Sequence, residues 1–384
     1  MTDPWARVCC NEEDRERIAR KPRSFTKDVT VRFAHKPTAL FGLVVIILLI
    51  GFAVFGPLLT PYTFDSQTLG MANIPPILDL FQSPEPGRFL YMTANMKLIE
   101  TDGDGHLIRT LTRLSDDFLS MRETIEWDTE TRIYLDYAST PPRVLDQNEQ
   151  SLPHTLRLWN RTYLLGTDHL GRDILTRLMY GTRISLIIAF VAATVNMFIG
   201  TLYGGISGYM GGRVDSVMMR LVDVISTIPL TLYVILIKVM LTSGLSGIII
   251  ALSSVYWVDM ARVVRGQALS LKQQEFILAA RSIGSSPRSI LVRHVIPNAM
   301  GPILVTMMML IPSAIFMEAF MSYIGIGIAP PMASLGTMCN DAAQALRSNP
   351  YQLFMPALII CLIMFAFNFT GDGLRDALDP KLRK

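Results

Sequence analysis

Apolar positions in this 384-residue chain gather into six runs: Ala39–Leu59, Ile184–Ile206, Leu221–Leu241, Gly244–Val258, Val292–Ile328 and Phe354–Phe369. About 20 apolar residues suffice for a helix to cross a bilayer, so the pattern predicts six transmembrane helices. The fourth run is short and flecked with polar residues, and the fifth is long and contains proline. The chain divides into a polar tail (1–38), a first span (39–60), an insert (61–160) and a membrane core (161–384) with a polar loop at 262–297.

The insert follows a different rhythm. Ile133 and Leu135 alternate with Tyr134 and Asp136, and Ile125 and Trp127 flank Glu126. Period-two alternation marks half-buried strands. Arg88–Glu100 and His106–Leu111 are predicted strands joined by TDGDGH. DGDG is part of a calcium-loop pattern, but the Glu that completes such a loop is missing. A hairpin turn is the better reading. The expected fold is therefore an all-α polytopic membrane protein with six spans and a small β-rich insert after the first.

Ahead of the second run, Leu170, Ile174 and Leu178 fall four apart in GTDHLGRDILTRLMYGTRISL. This is either an amphipathic helix lying on the membrane surface or an extension of the second span.

Composition agrees with a membrane protein: half the residues are hydrophobic and 17% are charged, against about 25% in soluble domains. The first run follows a long polar tail and lacks a small-residue cleavage site, so it is not read as a signal peptide. Lys and Arg collect near the spans on the cytoplasmic side. Nine precede residue 38, six lie between Ala261 and Arg293 against the single acid Glu275, and four lie in Gly371–Lys384. Both termini are accordingly expected in the cytoplasm, and the insert outside. Arg172, Arg177 and Arg183 dissent, offset in part by Asp168 and Asp173. The insert carries 15 acidic and eight basic residues and is long enough to form a small domain. No basic run suggests nucleic acid. None of the cysteines (Cys9, Cys10, Cys339, Cys361) lies in the insert, so no disulfide framework is expected there. Cys9 and Cys10 lie far from the first span for a lipidation site.

Catalytic chemistry has nothing to rest on. The dipeptide Gly-Lys does not occur, which excludes a phosphate-cradling G-x-x-x-x-G-K loop, and no H-E-x-x-H, G-x-S-x-G or metal-spaced Cys/His cluster is present. Ionisable residues inside the runs are few: Glu318, with Lys238 and Asp259 near the ends of theirs. A membrane-embedded carboxylate faces a cavity or partner, unless Glu318 lies at the outer interface of a tilted helix. A solute path would be lined mainly by neutral groups. Thr194, Asn196, Ser253, Ser254, Thr306 and Asn368 are candidates, each equally explicable as helix-packing polar contacts.

The segment Phe276–Asn298, FILAARSIGSSPRSILVRHVIPN, is basic and broken. Phe276, Ala279, Ala280 and Ile283 form one face of a short helix. Gly284 can end it in a left-handed conformation. Ser286 can cap a second helix with Pro287 at its first position. A helix this short is marginal alone, so this one should dock on something.

Ala279-Ala280-x-x-x-Gly284, closing on Ile296-Pro297, resembles the EAA loop of permease subunits of binding-protein-dependent ABC importers. Leu278 stands where the general motif has Glu, and His294 where it has Ile; Glu275, a turn earlier, is a substitute carboxylate. Residues 166–186, MGGRVDSVMMRLVDVISTIPLTL (210–232), PNAMGPILV, EAFMSYIGIGIAPPMASLG (318–336) and the C-terminal FNFTGDGLRDALDPKLRK are similar to the dipeptide/oligopeptide branch. Ala333 and Leu335 depart from that pattern, and the insert is not covered by it.

The resemblance implies a type I importer permease fold and a non-catalytic, C-type transport subunit of the bacterial inner membrane. Glu275, Ala279, Ala280, Gly284, Pro287 and Pro297 would couple it to the ATPase, and Asn196, Ser254, Thr306, Glu318 and Asn368 would line the path. No metal or cofactor is expected in this chain; ATP and Mg would be bound by partner subunits. Implied partners are a homologous permease (a heterodimer), two ABC ATPases, an extracellular solute-binding protein and membrane lipid. The solute would be a peptide, with nickel, glutathione, opine or sugar importers using similar permeases. A receptor with a sensing insert would need a cytoplasmic signalling domain, for which the tail after Phe369 is too short. A secondary carrier would show inverted repeats, and none is visible. The insert would contact the binding protein, shape the outer mouth, or serve as a spacer.

Overall fold

A computed structural model describes residues 25–128, 131–240 and 244–378. Cys9 and Cys10 lie outside them. A short helix α1 (Phe25–Ala34) leads into α2 (Pro37–Phe55), which a 3-10 turn extends to Leu58. The insert follows as nine strands, β1 (Ile77–Gln82), β2 (Arg88–Met92), β3 (Leu98–Asp102), β4 (Leu107–Thr110), β5 (Thr112–Asp117), β6 (Arg122–Glu126), β7 (Arg132–Asp136), β8 (Arg143–Leu145) and β9 (His154–Trp159). The membrane core comprises α3 (Ile174–Met210), α4 (Gly212–Thr227), α5 (Leu230–Met240), α6 (Leu245–Ser253), α7 (Trp257–Leu271), α8 (Glu275–Ser282), α9 (Pro287–Ile290), α10 (Ile296–Tyr323), α11 (Leu335–Ala343) and α12 (Tyr351–Leu378).

Among the described residues, five helical stretches are long and apolar enough to cross a membrane: Pro37–Leu58, Ile174–Met210, Leu245–Leu271, Pro287–Tyr323 and Tyr351–Leu378. The sixth predicted span is not a straight helix. α4 and α5 meet at 87° across Ile228-Pro229. Proline disfavours the helical region for the residue before it, and Ile228 is extended, with φ −79° and ψ 127°. Apolar periodicity cannot register such a bend. The short fourth run is in fact the first half of Leu245–Leu271, so part of the predicted loop 262–297 belongs to a span. α3 begins at Ile174 and runs without a break, which decides for a continuous extension of the second span over a separate surface helix.

α3 and α7 form the most extensive helix pair. Gly200, Gly204 and Gly208 lie one turn apart on α3, and a Cβ on Gly204 would sit 2.2 Å from the Ala261 carbonyl oxygen. Small residues at four-residue spacing let membrane helices approach until their backbones touch. The bundle core runs from Ile188, Ala192 and Ala193 through Ile248, Leu252, Met260 and Val264 to Ile303, Ile311, Ile315 and Ile363.

The insert is a two-sheet sandwich. One sheet has the order β4-β3-β2-β1-β9 and the other β5-β6-β7-β8, antiparallel throughout. Phe81, Leu90 and Leu98 from the first meet Ile125, Ile133, Leu135 and Val144 from the second. Leu78, Leu80, Tyr91 and Ile99 on the other face of the first sheet pack around Ile74. Arg88–Glu100 is two strands, not one: a turn closes where Met96 donates its N–H to the Thr93 carbonyl, with φ +59° at Met96. TDGDGH is the hairpin turn, in which the Asp102 Oδ1 accepts the N–H groups of Asp104 (3.0 Å) and His106 (2.7 Å).

The insert is clamped to the core at its stem. Thr167 Oγ1 accepts the Ile74 N–H at 2.9 Å, the Tyr351 hydroxyl donates to the Ile74 carbonyl at 3.0 Å, and Gln352 Nε2 donates to Asn73 Oδ1 at 2.9 Å.

Candidate functional site

The broken basic loop packs at the far end of α3 from the insert: Tyr209, near the C-terminus of α3, joins its apolar cluster, whereas the insert's stem is bonded to Thr167 just ahead of the N-terminus of that helix. α8 carries Ile277 and Ala280 inward, where they pack with Tyr209, Ala268, Ile290, Leu291 and Val295. Of the predicted apolar stripe, Phe276, Ala279 and Ile283 face outward, and Ala280 is turned in. Ile283 is 83% exposed. The end of α8 has two reverse bonds: Ser285 N–H to the Ala280 carbonyl at 3.1 Å, and Gly284 N–H to the Arg281 carbonyl at 2.9 Å. This is a Schellman ending, which places its C′ residue in the left-handed region, and Gly284 has φ +82°. Ser286 accepts the Ser289 N–H at 3.3 Å and Pro287 takes the first position of α9. A π turn, Leu291–Val295, then leads to α10, with Pro297 in its first turn.

The loop is braced from behind. The Arg281 guanidinium lies 5.2 Å from the Tyr209 ring centroid, and Lys272 lies 5.9 Å from it. Deeper in, Asp215 receives two hydrogen bonds from Arg265, both 2.6 Å, and one from Ser207 at 2.5 Å, tying α4 to α7 and α3. Glu275 is exposed at the first position of α8, where a helix N-terminus favours negative charge. The result is an exposed apolar strip bordered by Glu275, Arg281 and Arg288, on a scaffold that holds its shape.

The five residues predicted for a path do not form one cluster. Asn196 is buried in α3, and its Oδ1, like Thr194 Oγ1 and Ser253 Oγ, has no partner among the described residues. Ser254 and Thr306 donate to carbonyls of their own helices, Ala251 (2.7 Å) and Pro302 (2.9 Å). Asn368 is exposed on α12. Glu318 alone joins other elements: it is 0% exposed and accepts from Ser185 of α3 at 3.1 Å and Ser322 at 2.8 Å. It therefore lies at neither a lipid interface nor an open cavity.

On the insert's side lies a feature the sequence only hinted at. Asp168, Arg172 and Arg177, all buried, form a network with the partly exposed Asp341. Asp168 Oδ2 accepts from Arg172 Nε at 2.7 Å and Arg177 Nη1 at 2.5 Å, and its Oδ1 accepts the N–H groups of Leu170 and Arg172, both at 2.9 Å. Burial opposes the charge of Asp168, yet Arg177 and then Arg172 hold its carboxyl below the ordinary value. Asp173, which caps α3, is pushed up by burial. Arg183 donates to the carbonyls of Ala53 and Val54. The dissenting arginines are thus all bonded within the protein, Arg172 and Arg177 buried and Arg183 half-buried. What could have revealed them is the i, i+4 spacing of Asp168 and Arg172; Asp341 lies too far along the chain to be linked by pattern.

Residues 200–384 match the family described as binding-protein-dependent transport system inner membrane component. Residues 24–76 match the N-terminal TM domain of oligopeptide transport permease C. The oligopeptide transport system permease protein OppC of Bacillus subtilis is 38% identical over all of this chain and 98% of its own length. The dipeptide permease DppC of the same organism is 47% identical over 64% of this chain and 76% of its own. The glutathione transport system permease GsiD of Pectobacterium atrosepticum is 41% identical over 57% of this chain and 73% of its own.

Proposed function

This chain belongs to the family of binding-protein-dependent transport system inner membrane components, in its oligopeptide and dipeptide permease branch, and from that premise we propose that its broken basic loop converts ATPase movement into peptide import. The chain is a multi-pass permease subunit of a peptide importer. In the proposed assembly it pairs with a homologous permease in the bacterial inner membrane, with both termini in the cytoplasm. A solute-binding protein meets the insert's side. Two ATPase subunits bind ATP and Mg, and this chain carries no cofactor and performs no catalysis.

The observation that supports this most is the exposed face of α8. Phe276, Ala279 and Ile283 form an apolar strip with charged borders on a Schellman-capped turn braced by Tyr209, Arg281 and the Asp215–Arg265 pair. A short helix held rigidly and left uncovered suits a handle gripped by another chain. Glu275, Ala279, Gly284, Pro287 and Pro297 shape that handle; Ala280 serves it from inside by packing. Glutathione is the runner-up solute and is itself a small peptide.

The test is co-purification of the native assembly followed by reconstitution. We expect two ATPase chains and a second permease in the complex, and ATP-dependent uptake of labelled peptide that needs the binding protein. A complex that lacks ATPase chains, or that imports no peptide, would overturn the reading.

A further inference from the structure

Between the loop after α2, the loop before α3, the segment 325–332 and α11 lies a cavity of 490 Å³ on the insert's side of the membrane. Its lining has two kinds of polar group. Arg172, Arg177, Asp341, Ser322 and Thr337 are bonded into the protein behind them. The side chains of Asp65, Gln67, His169 and Asn340 make no hydrogen bond or ion pair among the described residues. A wall bonded into the protein, with only the buried Arg177 Nε unpartnered among the described residues, thus backs a set of open polar groups, the usual construction of a ligand pocket.

Resting on the peptide-importer reading, we infer that this cavity receives the amino-terminal end of the peptide solute, with Asp65 taking its ammonium and Gln67 and Asn340 its first peptide groups. Charge favours a cation. Arg172 and Arg177 are balanced by Asp168 and Asp341, which leaves Asp65 as the uncompensated charge. Each primary amide offers a donor and an acceptor side by side, which matches the N–H and C=O of a peptide unit. The remaining wall is Leu170 with the Gly, Ile, Pro and Met residues of the segment 325–332. It presents apolar surface and little that would discriminate among side chains. A site with fixed backbone contacts and a permissive wall suits solutes that share a terminus and vary in sequence. The volume falls in the range of small-ligand pockets, about 300–1,000 Å³.

The experiment uses the complete permease–ATPase complex in nanodiscs, without the solute-binding protein. Equilibrium dialysis measures binding of a radiolabelled tripeptide and of its N-acetyl counterpart to wild type and to Asp65→Asn. Asp65 is exposed and unpartnered, so the variant should fold normally. Acetylation is expected to weaken binding to wild type about tenfold, the scale of a charge-assisted hydrogen bond, and Asp65→Asn should abolish that difference. Asn340→Ala should weaken both peptides alike. No binding to wild type, no effect of acetylation, or discrimination retained in Asp65→Asn would each overturn the proposal. A second arm adds the solute-binding protein and measures its docking: docking weakened by Asp65→Asn with peptide discrimination unchanged would also overturn the proposal and assign the cavity to a loop of that protein. Uptake by wild-type proteoliposomes is scored separately, so a failure of the importer reading is distinguishable from a failure of the cavity reading.

Discussion

Arg177 donates from Nη1 to Asp168 Oδ2 at 2.5 Å, with 4% and 7% of the two side chains exposed. Arg172 shares the same carboxylate oxygen. Removing one member of a buried ion pair strands the others without compensation and costs about 3–5 kcal/mol. Asp168→Ala should therefore destabilise the protein by about that amount in detergent unfolding. Asp341 is 34% exposed on its side chain, and water can replace it. Asp341→Ala should cost about 1 kcal/mol or less. Equal losses from the two variants would show that Asp168 is not the hub of the network.

The same network sets an acid limit. The folded-state value of Asp168 lies below its unfolded value, about 3.9. Its stabilising contribution is complete above the unfolded value and disappears as the pH falls through the folded one. Asp168→Asn should flatten the acid side of the stability curve, followed as thermal midpoint against pH. Asp173 behaves in the opposite sense: its raised value gives a contribution present at low pH and lost as the pH rises through the folded value. Asp173 accepts the Thr176 N–H at 2.8 Å, and Asn caps a helix as well as Asp does. Asp173→Asn should keep the cap and remove that loss.

Hydrophobic runs located the spans because a bilayer demands length and apolarity together. The runs missed the bend at Pro229, since apolarity continues through it, and they understated α3, whose first turns are polar where Thr176 and Arg177 bury into the network. The apolar stripe of α8 was visible at Phe276, Ala279 and Ile283. That Ile277 and Ala280 would face inward depends on where α7 and α10 stand, which no local pattern contains. Glu318 was visible as a carboxylate in an apolar run. Its partner Ser185 lies 133 residues away and was not.

Close approach of α3 and α7 gives a sharp steric test. A Cβ on Gly204 would sit 2.2 Å from a backbone oxygen, and backbone cannot rotate away. Gly204→Ala should separate the helices and cost at least the 1–3 kcal/mol typical of overpacking, read as loss of the monodisperse peak in size-exclusion chromatography. Gly266→Ala, with open space around its position, is the control and should leave the peak intact.

The two faces of α8 should separate by phenotype. Ile277 is fully buried, so Ile277→Ser should destabilise the loop by about 2–5 kcal/mol, as for truncation of a core side chain. Ile283→Ser should change stability by less than about 0.5 kcal/mol and still reduce the ATPase retained on purified permease. Full ATPase retention by Ile283→Ser would remove the exposed strip from the docking surface.

Gly284 isolates conformation from contact. A Cβ there would meet nothing within 4 Å, yet φ is +82°. Any effect of substitution must come from the left-handed backbone, which a β-branched residue adopts only at a cost of about 1–3 kcal/mol. Gly284→Val should therefore reshape the turn between α8 and α9 and uncouple ATP hydrolysis from uptake. Gly284→Asn should retain coupling, because Asn tolerates the left-handed region. The measurement is the ratio of peptide imported to ATP hydrolysed in proteoliposomes, with subunit assembly checked by co-purification. An unchanged ratio in Gly284→Val would show that the turn's conformation does not transmit force, and equal defects in both variants would point to the glycine's missing side chain instead of its φ.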